Sequence, residues 1–198
     1  MNSIIDRRNL LAAAGGAAVA AAWGGPVLAL SEAGARQLVD QLVADINRVI
    51  ASGKSEGAMI RDFEGIFARY ADVPIMARYV LGPDARRLNG SQMGAFTQAF
   101  QGYIAKKYGR RFREFIGGEV IVRSTRQIKA GYEIRATADL QGQAPFQVSF
   151  LVSDKSGRSK FFNLYVEGVN MLLTERTEIG ALLDRNGGDV NKLIAALG

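Results

Sequence analysis

The sequence predicts an α+β domain in which helices come first, a four-stranded antiparallel sheet follows, and helices close the chain. Three observations predict it. Apolar residues recur at helical spacing from about Ser31 to Phe115. After Gly117-Gly118 the pattern switches to alternation of period two. The links between the alternating runs, "KAG", "QGQA" and "DKSGRS", are short and carry Gly, which suits an antiparallel meander.

Each element has its own signals. Ser31 caps a first helix running to about Ala51, with Leu38, Val39, Leu42, Val43, Ile46, Val49 and Ile50 on one face. Ser55 opens a second, carrying Met59, Ile60, Phe63, Ile66, Phe67 and Tyr70. Pro74 suits the first turn of a short third helix, "PIMARYVLG", which Gly82 and Pro83 stop. Ser91 starts a long fourth helix with the stripe Met93, Phe96, Phe100, Tyr103 and Ile104; beyond a kink at Gly109 the stripe continues through Phe112 and Phe115. The strands are "EVIVRSTRQI", "YEIRATADL", "PFQVSFLVS" and "KFFNLYVE". Two helices follow, about Leu172 to Arg185 and Asp189 to Leu197.

Alternation puts Tyr132, Ile134, Ala136, Ala138 and Leu140 on one side of the second strand. Phe146, Val148, Phe150 and Val152 share a side of the third, and Phe162, Leu164 and Val166 a side of the fourth. Small Ala136 and Ala138 stand beside large Phe residues. That pattern describes an interdigitated core or room left for a ligand, and periodicity does not separate the two.

Composition excludes several chemistries. The 198 residues include no Cys and no His. Thiol nucleophiles, disulfides and a Ser-His-Asp triad are therefore impossible, and the commonest metal ligand is missing. No metal and no cofactor is expected. The acids are scattered, and Glu175 with Glu178 around Arg176 reads as a solvated face. One enzyme reading survives: a steroid-like isomerase on a cone-shaped helix-and-sheet fold, with Asp139 as base and Tyr132 or Tyr103 beside it.

Residues 1–29 read as a signal peptide. Arg7 and Arg8 form the charged start, Leu10 to Trp23 is an uncharged Ala/Gly-rich run, and Val27-Leu28-Ala29 offers a cleavage site. The paired arginines with Asn9, Leu10 and Leu11 resemble the twin-arginine export motif, with Asp6, Leu10 and Ala12 departing from it. Twin-arginine export is the first expectation and general secretion the second. Residues 30–198 then form one domain in the periplasm.

The formal charge of +6 concentrates in "KKYGRRFR", with Lys106, Lys107, Arg110, Arg111 and Arg113. Such a cluster is a solvated helix face or a docking face. An exported protein seldom meets nucleic acid, so none is expected as a partner.

"MARYVLG" at 76–82, Ser91-Gln92, the Phe96, Phe100, Tyr103 spacing and "VEGV" at 166–169 together resemble the toluene-tolerance, or MlaC, family of periplasmic lipid carriers. The order and spacing cover roughly the whole of residues 30–198. The family pattern has Asp where Asn163 stands, Ser where Asn170 stands and Trp where Ala85 stands. The resemblance implies a cone-like, NTF2-like sheet and a single lipid-binding domain that is not an enzyme. It implies a phospholipid or hopanoid-like ligand, with an inner-membrane ABC lipid transporter complex and an outer-membrane lipoprotein complex as partners. A third reading is a cargo-free periplasmic adaptor.

For a carrier, the expected lining is the inward positions of the third and fourth helices and the last two strands, plus the exit from the sheet. These are Tyr79, Val80, Phe96, Phe100, Tyr103, Ile104, Val148, Phe150, Val152, Leu164, Val166 and Met171. The basic cluster is the expected docking face. Within "VEGV", Gly168 lets the chain leave the sheet sharply, Asn170 caps the next helix, and Glu167 is architectural, near that helix's positive end.

Overall fold

The structure is a computed structural model and describes residues 29–111, 116–140 and 142–198. The expected leader, apart from Ala29, lies outside them, as do Phe112, Arg113 and Phe115.

Four helices lead: α1 (Glu32–Ile50), α2 (Glu56–Tyr70), α3 (Val73–Leu81) and α4 (Gly90–Gly109). A 3-10 turn at Gly82–Arg86 separates the last two. Their starts follow local chemistry. Ser31 Oγ accepts from the Gly34 amide, Asp72 from Ile75, and Asn89 forms a reciprocal capping box with Gln92. The long helix thus begins one residue before Ser91. It ends at Gly109, where α4 crosses α2 so closely that a Cβ would lie 3.2 Å from the Ile60 Cα.

The strands are β1 (Glu119–Ile128), β2 (Gly131–Asp139), β3 (Phe146–Ser153), β4 (Lys160–Val166) and β5 (Val169–Asn170). They pair in chain order, all antiparallel. Helices α5 (Met171–Arg185) and α6 (Val190–Leu197) complete the chain.

Two features depart from the sequence expectation. The sheet has a fifth strand, β5, because Glu167 (φ 48°) and Gly168 (φ 77°) form a two-residue turn that pairs Val166 with Val169. Positive φ at both turn residues matches the right-handed twist of a tight hairpin. The second departure is in β4. The register steps from Leu151↔Asn163 to Val152↔Phe161, so Phe162 is an extra residue. The bulge reverses the alternation, and Phe161, 6% exposed, joins the inner face in place of Phe162.

That inner face is apolar, with Ile134, Ala136, Ala138, Val148, Phe150 and Val152 all buried. The opposite face carries Glu133, Arg135, Asp139 and Gln147, as expected for an antiparallel sheet covered on one side. Helix α1 lies against β1, β2 and β3, while α3 and α5 meet β4. Asn47 ties α1 to the sheet edge. Its side-chain amide donates to Val120 O and accepts from Val120 N, both at 3.1 Å, as a neighbouring strand would. At the far end, the Asp72 amide donates to Phe161 O (2.8 Å) and joins the α2–α3 corner to β4.

Close helix crossing at Gly109 gives a paired prediction. Gly109→Ala should cost about 1–3 kcal/mol, because Ile60 backbone must move. Gly102→Ala, in the same helix, meets nothing nearer than Glu64 Oε1 at 4.0 Å and should stabilise by about 0.5–1 kcal/mol. Urea unfolding midpoints of the two variants should move in opposite directions.

Candidate functional site

The helices do not fill the space over the sheet. A cavity of about 710 Å³ lies between the inner face and the helix layer, within the roughly 300–1,000 Å³ usual for small-molecule sites. The sheet supplies Ala138, Leu140, Phe146, Val148, Phe150, Phe161, Leu164 and Val166. Leu42 and Ile46 come from α1, Phe63, Ile66 and Phe67 from α2, and Met76 from α3. Phe100, Ile104 and Tyr108 come from α4, and Met171, Leu172 and Glu175 from α5. Rings of Phe63, Phe67, Phe161 and Phe150 form a chain along the wall, with successive centroids 6.2, 6.1 and 5.9 Å apart.

The rim lies at one end of the sheet. Gln143 and Ala144 from the β2–β3 loop, Glu167 and Val169 from the β4–β5 turn, and Arg111 after α4 are all exposed and border the cavity. Val169 is 55% exposed and Leu173, on the first turn of α5, is 50% exposed. The rim turn is braced: the Glu167 carboxylate accepts from the Gln147 amide, and the Glu167 amide donates to Gln147 O. Glu167 therefore acts through the sheet, not through the helix end expected for it. Behind it, Asn163 Nδ2 donates to Asn170 Oδ1 (3.0 Å), Asn163 Oδ1 accepts from Leu172 N (3.3 Å), and Asn170 accepts from Leu173 N (3.1 Å). These two amides fix the start of α5 against β4.

Of the residues expected to line a pocket, Phe100, Ile104, Val148, Phe150, Leu164, Val166 and Met171 border this cavity. Val80, Phe96 and Val152 are buried core outside its lining. Phe96 sits one helical turn behind Phe100, ring to ring at 6.1 Å, and Val152 lies past the bulge. Tyr79 faces outward, 39% exposed, with the Arg176 guanidinium 5.2 Å from its ring centre. Tyr103 also stands outside the lining, its hydroxyl donating to Glu178 (2.9 Å). Sequence reading missed the walls from α1 and α2. Their apolar stripes were visible, but which stripe faces a gap is a tertiary property.

The basic cluster divides in the same way. Lys107 is the centre of an ion network, at 2.7 Å from Glu175 Oε1 and 2.6 Å from Glu178 Oε2. Burial works to lower its pKa, but the bonds to Glu175 and Glu178 outweigh it and hold Lys107 above its ordinary value. Burial, then the Glu175 charge and the Glu178 bond, push the Tyr103 hydroxyl up to about 12. Tyr108, which donates to Glu175, is raised further, again by burial first. Glu178 is lowered, chiefly by Lys107. Glu175 is 2% exposed, so it is no solvated acid. Lys106, Arg110 and Arg111 are exposed, and Lys106 donates to the Gly198 carbonyl. Arg113 lies outside the described residues.

The structure does not bring Asp139 and Tyr132 together, and the Tyr103 hydroxyl is bonded to Glu178. Asp139 is exposed on the face opposite the cavity, between Ala138 and Leu140, which line it. Tyr132 stands at the other end of β2, roughly 23 Å along the strand.

A sequence model of the MlaC protein family matches residues 36–198. The chain belongs to the MlaC family. A phospholipid-binding protein from Ralstonia solanacearum, solved in complex with a phospholipid, shares the MlaC chain's fold. The two superpose with a TM-score of 0.70 over 82% of this chain and 94% of that one, at 15% sequence identity. The family is one of lipid-binding carriers and not a known enzyme family. Among the described residues of this MlaC member, no helix is long and apolar enough to cross a membrane.

The ion network generates a stability prediction. Lys107→Met strands the Glu175 carboxylate and should cost about 2–4 kcal/mol by denaturant unfolding. Adding Glu175→Leu should recover most of that loss, since an apolar pair replaces a buried ionic one at little cost. An unchanged midpoint for Lys107→Met alone would put the pair among exposed, weak ones.

Proposed function

We infer that this protein is a periplasmic lipid carrier. It holds a phospholipid, or a lipid of similar chain length, by its acyl chains in the cavity beneath the sheet. It passes that lipid between outer-membrane machinery and an inner-membrane ABC transporter. The observation that carries this reading is the apolar cavity itself, open at one end of a fold whose family binds lipid. A cargo-free adaptor has no use for such a space.

The energetics fit a carrier. Each acyl CH₂ taken out of water gains about 0.8 kcal/mol, so a chain of about 16 carbons is worth on the order of 13 kcal/mol. Lipid at that scale does not cross an aqueous compartment alone. A wall of side chains substitutes for the bilayer interior and needs no nucleophile, base or metal. The rim's exposed Val169 and Leu173 give the chains an apolar threshold to slide over.

Docking is assigned to the exposed cations of the cluster, Lys106, Arg110 and Arg111. Exposed charge speeds encounter and still permits release, as a transient hand-over requires.

Two outcomes are expected. The purified wild-type chain should carry lipid, read by extraction and mass spectrometry. Val148→Trp and Val166→Trp should lose most of it while keeping their circular dichroism, because both side chains border the cavity. Folded variants with undiminished lipid would contradict the site. Second, Lys106→Glu with Arg110→Glu should slow transfer from protein to acceptor membranes bearing the transporter, with occupancy unchanged. The wild-type transfer rate should itself fall as salt rises.

A further inference from the structure

Among the described residues, Glu175 is the one acid in the cavity wall that the fold does not satisfy. Its Oε1 accepts from Lys107 and Tyr108. Its Oε2 is buried and has no hydrogen-bond partner, in a side chain only 3% exposed. A carboxylate oxygen held from water without a donor costs on the order of 1–3 kcal/mol or more. Buried polar atoms are nearly always paired, so this one asks what pairs it.

The nearby donors are already used. Lys107 is shared between Glu175 and Glu178, the Tyr108 hydroxyl serves Oε1, and the Tyr103 hydroxyl serves Glu178. Glu175 itself is part of the cavity wall. Its position is informative. Glu175 stands one helical turn beyond Met171 on α5, about 6 Å along the axis from the end nearest the rim. That is shallow for an acyl tail and suitable for the group that joins a tail to its head. Oε2 carries no proton donor of its own in a carboxylate, so the partner it takes is a hydrogen-bond donor.

We propose that Glu175 is a polar anchor within the cavity, whose unpaired oxygen accepts a hydrogen bond from a hydroxyl or ammonium group carried by the lipid near the top of its chain. The proposal rests on the lipid-carrier reading and adds to it a selection rule: among lipids of equal chain, the one bearing a donor at this depth is held more tightly.

Three probes with the same 16-carbon chain test it on the delipidated full chain: monopalmitoylglycerol with hydroxyl donors, hexadecylammonium with an ammonium, and methyl palmitate with neither. Affinities come from displacement of a fluorescent acyl probe. Wild type should bind at least one donor-bearing probe about tenfold or more tightly than methyl palmitate. Which of the two leads identifies the donor as hydroxyl or ammonium. Transfer from water alone works against this order, because water solvates the donor head better than the ester. In Glu175→Gln the preference should shrink to about threefold or less. If wild type binds methyl palmitate as well as both others, the anchor is refuted and Oε2 serves at most a structural water, while the lipid cavity stands. If none of the three binds, the carrier reading falls and the anchor falls with it. If Glu175→Gln fails to fold, Glu167→Gln decides: a preference that survives it excludes the exposed rim acid as the acceptor, and a preference lost with it refutes the anchor.

Discussion

An apolar sheet and an apolar helix layer attract each other, and left alone they would close. Here polar ties placed around the gap fix where the elements sit. Lys107 binds the end of α4 to two acids of α5. Asn47 binds α1 to the first residues of β1. Asn163 and Asn170 bind the start of α5 to β4. Each tie is short and directional, whereas hydrophobic contact is neither. Helix spacing is therefore set by hydrogen-bond length at the edges, and the side chains between need not meet.

Much of this fold is written locally in the chain. The strand β1 begins and ends where alternation begins and ends, and Ser31 and Asn170 cap the helices they precede. Pro74 and Gly82 bound α3 for reasons intrinsic to their own backbones. The errors fall where one residue's role depends on a distant one. Phe162 gave way to Phe161 because a bulge inserts a residue without changing the composition of the strand. Lys107 looked like its neighbours Lys106 and Arg110, and only the fold brings it to Glu175, 68 positions later in the chain. For the same reason Glu175 read as surface. The cavity's sheet wall could be listed from alternation, but its α1 and α2 wall required knowing which helix lies over which strand.

The match to the Ralstonia protein at 15% identity and a TM-score of 0.70 fits this division. An apolar wall asks only for bulk and hydrophobicity at each position, which many residues supply. Backbone turns and helix ends ask for particular atoms. Sequence can therefore drift widely over such walls while the frame persists.

The bulges and the two-residue β5 bear on how the protein behaves in company. A sheet's outer strands present unpaired backbone that can template another chain. On one side, β1 carries an extra residue at Arg123, a further arginine at Arg126 and the Asn47 amide across Val120, so a straight partner finds no matching ladder. On the other, β5 is two residues long and runs directly into α5. A protein that stays dispersed has to meet its own copies many times without adhering to them. Among the described residues, one border strand is bulged and the other is two residues long, which shortens any seam along which a fibre could grow.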